Sequence, residues 1–162
     1  MDPRSSATAR DLEQQLQLGL EVFAKAVRGR KLLSEIKAVQ KQLTDLQPKL
    51  EGHADLEAAV SQLESEIRRI LASTDNSTSK TEGLENASSG LASTLAVVES
   101  SDQPVPSQAI ALYHESDDTL KLRAADWNHV KTNWLPQLNQ HLREHNVSPV
   151  EFSESAAKIS GE

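Results

Sequence analysis

The residues best suited to chemistry lie near the end of the last apolar stretch, where His141-Leu142-Arg143-Glu144-His145 matches H-x-x-E-H. On a helix the two imidazoles stand one turn apart and can share a metal ion, with Glu144 placed as a base, in the manner of an inverted zinc-protease motif. Such an enzyme also needs a third protein ligand and a cleft. The residues that follow are rich in Ser, Ala and Glu and offer no helical partner, and the match falls where a helix is expected to fray.

A second polar group is His114, Glu115, Asp117 and Asp118, beside Tyr113. A hard cation needs its oxygens gathered in a turning loop. These four sit at neighbouring helical positions that point in different directions, which predicts a solvated face. Trp127 and Trp134 are seven residues apart and share one helical face with Leu120, Ala124 and Leu138, so they are expected in the core rather than as a ligand-stacking pair. Asn76-Ser77-Thr78, Asn86-Ala87-Ser88 and Asn146-Val147-Ser148 fit the N-x-[ST] glycosylation pattern, which matters only in a eukaryotic secreted context. There is no Gly-rich phosphate loop and no nucleophile elbow. No catalytic, cofactor-binding or metal-ligating residue is assigned, and no cofactor is expected.

The elements that would position these groups are helices. Leu12, Leu16, Leu20, Phe23 and Val27 follow steps of four, four, three and four. Beyond Gly29 a second register begins, in which Leu32, Ile36, Val39, Leu43, Leu46 and Leu50 form a heptad seam. Both registers are expected to be buried, and Gly29, lying where they change, predicts a bend. Pro48 and Gly52 end this first helix. Asp55 is the expected N-cap of a second helix carrying Leu56, Val60, Leu63, Ile67 and Ile70. The polar run 73–79 reads as a loop. A third helix is expected over 81–100, with Leu84, Leu91, Leu95 and Val98 on its apolar face and small residues that permit close approach. After the break at Pro104 and Pro106, a fourth helix starts at Ser107 and is expected to kink at Pro136.

Composition narrows the class. The 162 residues include 17 basic and 24 acidic side chains, no cysteine and 3% aromatics. Disulfide scaffolds and thiolate metal sites are excluded, and no run is apolar for long enough to span a membrane. The net charge of -7 argues against general nucleic-acid binding. Its distribution is uneven, +3 over residues 1–50 and -10 over the rest. The basic block Lys25, Arg28, Arg30, Lys31, Lys37 and Lys41 is helically spaced without interleaved aromatics, and reads as a solvated face lying beside acidic helices.

The run Gly90-Leu91-Ala92-Ser93-Thr94-Leu95-Ala96-Val97-Val98-Glu99-Ser100-Ser101-Asp102, then Pro106-Ser107-Gln108-Ala109, Leu112-Tyr113 and Trp127, Lys131, Leu135, Pro136, Leu138, Asn139 and Leu142, resembles a known region. That region is the C-terminal helical part of large bacterial secreted β-propeller proteins of sialidase (BNR-repeat) or sortilin-like type, often labelled glycosyl hydrolases. The opening Met1-Asp2-Pro3-Arg4, with Asp11-Leu12 and Gln15-Leu16, resembles the junction entering those helices. The resemblance implies an accessory domain, with any active site in the propeller, so no catalytic residue is carried over. It implies an extracellular or periplasmic location. Otherwise the polar start, without an apolar leader, reads as cytoplasmic.

The expected fold is all-α, an antiparallel up-down-up-down four-helix bundle, because each apolar stripe covers one face and needs a neighbour. Residues 1–8 are expected to be a flexible lead-in, 9–145 one bundle domain and 146–162 a disordered tail. The expected function is non-catalytic, a helical accessory or interaction domain whose partner is protein, either a neighbouring β-domain or itself. The alternatives are a free coiled-coil self-association or adaptor protein and a metal-dependent hydrolase built on His141 and His145.

Overall fold

A computed structural model describes residues 9–76, 79–100 and 104–152. Its regular elements are helices and one short hairpin. The order is α1 (Ala9–Leu46), a 3₁₀ turn (Gln47–Lys49), α2 (Ala54–Leu71), β1 (Thr74–Asn76), β2 (Ser79–Thr81), α3 (Leu84–Ser100), α4 (Ser107–His129), a π-helical turn (Val130–Trp134) and α5 (Leu135–Glu144). No helix among the described residues is long and apolar enough to cross a membrane.

Local chemistry explains most of the boundaries. α1 stops at Leu46 because Pro48 has no N–H for a continuing ladder, and the chain tightens into the 3₁₀ turn around it. Gly52, at φ 90°, makes the reversal in a region that L side chains disfavour. His53 rather than the expected Asp55 is the N-cap residue of α2, and its side chain makes no capping bond. Asp55 and Glu57 instead lie in the first turn and Arg68 and Arg69 in the last, where their charges complement the helix dipole. The run read as a loop, together with Lys80 and Thr81 beyond it, carries a two-stranded antiparallel ladder pairing Thr74 with Thr81, Asp75 with Lys80 and Asn76 with Ser79. Backbone bonding makes that ladder, so an apolar pattern could not announce it.

The expected helix 81–100 begins at Leu84, and the fourth helix starts at Ser107 as expected. Toward its end the ladder widens into a π turn, in which the Leu135 N–H reaches back to the Val130 carbonyl. Pro136 follows within the first turn of α5, so its missing donor and bulky ring are accommodated by restarting the helix. α1 runs unbroken through Gly29.

Cross-helix contacts give the directions. Gln15 donates to the Val98 carbonyl at 2.7 Å and Lys37 pairs with Glu85 at 2.8 Å, so α3 runs antiparallel to α1. Lys25 meets Asp117 at 2.8 Å and Glu35 meets Lys131 at 3.0 Å, so α4 and the turn after it run parallel to α1. Asp55 faces His145 at 3.6 Å and Arg69 faces Asp126 at 3.6 Å, so α2 opposes α4 and α5. An up-down-up-down order would set the first and fourth helices antiparallel, and these pairings correct that expectation. The split connection between α2 and α3 lets both run the same way.

One contiguous core joins Ile36, Val39, Leu43 and Leu46 of α1, and Leu50 after the 3₁₀ turn, with Leu56, Val60, Leu63, Ile67 and Ile70 of α2, all buried as the heptads predicted, while Leu32 at the head of that seam is only half-buried. It continues through Leu84 and Leu91 of α3 and Leu120, Trp127, Leu135, Leu138 and Leu142 of the last helices. Trp134 packs against its edge, half-buried.

The expected disordered tail begins with ordered chain. Asn146 at φ 57° closes α5, with its own N–H on the Arg143 carbonyl and the Val147 N–H on the Leu142 carbonyl. This is a Schellman cap with Asn in the usual glycine place. Val150 then enters the core. Asn139 accepts from the Val150 N–H at 2.7 Å and donates to its carbonyl at 2.9 Å. Gln42 does the same for Glu151, accepting from its N–H at 2.9 Å and donating to its carbonyl. Residues 147–152 are thus strapped across α1 and α5, which corrects the expectation over that part. The lead-in 1–8 and residues 153–162 lie outside the described residues.

Candidate interaction surface

The residues singled out for chemistry do not converge. His141 is exposed, while His145 turns toward α2, its ring edge-on to His53 at 4.8 Å between centroids and its Nε2 3.6 Å from Asp55. Among the described residues no three His, Asp or Glu side chains gather as a metal-ligand set. His114, Glu115 and Asp118 are exposed, while Asp117 and Tyr113 are buried. Asp117 turns inward between two lysines, Lys25 and Lys121, each at 2.8 Å. Burial alone would raise its pKa, but the two ammonium groups together hold the carboxyl below the usual range. Burial, reinforced by the Asp117 and Glu21 charges, pushes the Tyr113 phenol up.

Trp127 is buried, and its indole N–H donates to Glu35 at 3.0 Å. Of the N-x-[ST] matches, Asn86 is helical and Asn146 forms the cap of α5. Ser77 and Thr78 lie outside the described residues.

The basic block divides. Lys25 and Lys37 pair with acids on α4 and α3, as a face beside acidic helices should. Arg28 and Lys31 line an open groove of about 480 Å³ with Lys121 and Lys131, but Glu35 sits inside it and holds both Lys131 and the Trp127 indole.

Two structural groups escaped the sequence reading. Arg123 is buried. Its Nε and Nη2 donate to the Glu82 carbonyl at 3.1 and 3.0 Å, and Nη1 donates to Asp126 at 2.8 Å. It fastens the chain where it enters α3. There Ser73 donates to the Glu82 carboxylate and accepts from the Gly83 N–H, at 3.0 and 2.9 Å. A lone arginine in a polar helix gives no sign of burial beforehand.

The larger departure lies on α1. Leu16, Leu20 and Phe23, expected in the core, are 66%, 58% and 51% exposed, and Leu12 and Val27 are exposed as well. The buried face is Val22 and Ala26 at 0% and 2%, with Gly29 beside them. It continues the later seam backward without a break, since Val22, Ala26, Gly29, Leu33 and Ile36 step by four, three, four and three. Small residues on this face allow close packing. A side chain on Gly29 would touch Ser88 and Leu120, and one on Gly19 would touch Val98 at 3.3 Å. α3 answers with Ser88, while its Gly90 lies against Ser116 and Leu112 of α4. Because Val22, Ala26 and Gly29 are small, the bulkier outer stripe carried the stronger apolar signal. The jump in register at Gly29 was the clue that two faces, rather than one rotated face, were present.

Leu12, Leu16, Leu20 and Phe23 edge a shallow groove of about 370 Å³ whose far wall is Leu95 and Val98 of α3. Several large apolar side chains contiguous on one helix mark an interaction site more than they mark chance exposure. No family model, curated protein or solved structure matches the chain.

Proposed function

We propose that the chain is a non-catalytic helical interaction module that binds protein through the open stripe of α1. The observation that carries this reading is the pairing of two apolar faces on one helix, one closed against α3 and α4 and the other left uncovered. The likeness of residues 90–142 to the helical end of secreted propeller proteins supports an accessory rather than an enzymatic role.

In the same proposal the bundle has three rods. α1 ascends, α2 and α3 descend in line, and α4 with α5 ascends. Each long rod spans about 55 Å at the usual helical rise. The last rod changes direction at the π turn before Pro136, while Gly29 serves close packing.

The test sets the two faces against each other in dilute solution. Leu16→Glu with Phe23→Glu should leave helicity unchanged and stability within about 0.5 kcal/mol, as exposed substitutions do. Val22→Asp should unfold the protein or cost several kcal/mol, roughly what an unpaired buried charge costs. Unfolding by the stripe pair would make the stripe part of the core and end the proposal.

A further inference from the structure

We infer that the occupant of this stripe is a second copy of the same chain, its α1 lying antiparallel. The inference rests on the interaction reading above and names the partner. Three observations carry it.

The first is self-complementarity. The stripe runs from Leu12 to Val27, and an antiparallel copy centred between Gly19 and Leu20 sets Leu12 on Val27, Leu16 on Phe23 and Leu20 beside its own symmetry mate. Large meets large at every level, as an interface built from one repeated patch requires.

The second is charge. Along the stripe the first half carries Arg10, Asp11 and Glu13, net -1, and Glu21 lies just past the centre, while Arg28, Arg30 and Lys31 follow its end. An antiparallel copy brings the acidic end of one helix to the basic end of the other, whereas a parallel copy would stack like on like. Glu13 and Arg28 are also fifteen residues apart, within about 60° of one another around the helix, and the register sets Glu13 about 3 Å along the axis from the Arg28 of the other copy. In antiparallel helix pairs each edge faces the same edge of its partner, so an edge carrying both charges is self-neutralising.

The third is access. The stripe itself is flanked on the α3 side only by a shallow groove, so a whole helix can approach it.

The absence of cysteine makes the test direct, because any introduced thiol is the sole one in the chain. Leu12→Cys and Val27→Cys proteins, mixed and treated with a short bis-maleimide, should give a covalent dimer that neither gives alone. Leu20→Cys should crosslink with itself. Crosslinking of Leu12→Cys alone and Val27→Cys alone, with no gain on mixing, would mean a parallel pair and overturn the inference.

Light scattering of the unaltered chain should show concentration-dependent dimerisation, lost in the Leu16→Glu, Phe23→Glu protein. Glu13→Lys should weaken the dimer by about ten-fold, since symmetry makes two repulsive edges at once. Adding Arg28→Glu should restore it. A chain that stays monomeric at every concentration, while the stripe variants fold normally, would overturn the second-copy assignment alone. Stripe variants that unfold in dilute solution would overturn the interaction reading beneath it.

Discussion

Asp117 shows how one side chain ties two helices together. It sits on α4, nearly buried, and Lys25 of α1 and Lys121 of its own helix reach its two oxygens. Removing its charge leaves Lys25 half-buried without its acid, so Asp117→Asn should cost about 1–3 kcal/mol, as lost charge-assisted hydrogen bonds do. Its carboxyl is held below the usual range in the folded state. That contribution is therefore complete above the unfolded carboxylate range and is lost as pH falls through the lower folded value. Urea melts between ~pH 6 and ~pH 2 should show this acid sensitivity, and Asp117→Asn should flatten that part of the profile. An unchanged profile would mean that the two lysines do not perturb the carboxyl. Arg123→Lys belongs at the same scale. A single ammonium cannot fork onto the Glu82 carbonyl and reach Asp126 together. It should lower stability by about 1–3 kcal/mol and speed amide exchange at Gly83 and Leu84, measured by mass spectrometry.

At the scale of the element, two glycines that look alike in sequence should answer oppositely. Gly29 lies in the close seam of α1, but an added methyl would meet only Ser88 and Leu120 at ordinary contact, 3.5 Å or more. Gly29→Ala should therefore raise stability by about 0.5–1 kcal/mol through helix propensity. A loss would show that the helix needs glycine there to bend. At Gly83 a methyl would fall 2.3 Å from the Ala72 carbonyl carbon, and backbone cannot step aside cheaply. Gly83→Ala should cost about 1–3 kcal/mol or more by overpacking. The strap is a further element that can be released singly. Asn139→Ala removes both partners of the Val150 backbone. It should abolish protection of that amide in hydrogen exchange at a cost of about 1 kcal/mol.

The whole molecule joins two halves that share long helices. α3 packs along α1 as far as Lys37 and on α4, while α2 packs on α1, α4 and α5. Because α1 crosses both halves without a break, they should melt together. Calorimetric and van't Hoff enthalpies are expected to agree at concentrations where the chain is monomeric, and two resolved transitions would show that the halves fold separately.

Periodicity by itself determined much of this protein. The seam from Ile36 to Leu50, the full heptad of α2, the start of α4 at Ser107 and the stop before Pro48 were all legible, because local rules decide them. Tertiary structure decided what local rules leave open. A stripe such as Leu12 to Val27 has the same spacing whether or not a neighbour covers it, and only the arrival of α3 on the small-residue face assigned burial. Helix direction was likewise open, since a short polar connection can reverse a chain or carry it onward. The contacts of α3 with α1 show that it carries the chain onward. Burial of Arg123 and Asp117 depended on partners distant in sequence, and no single-chain pattern encodes where those partners will stand.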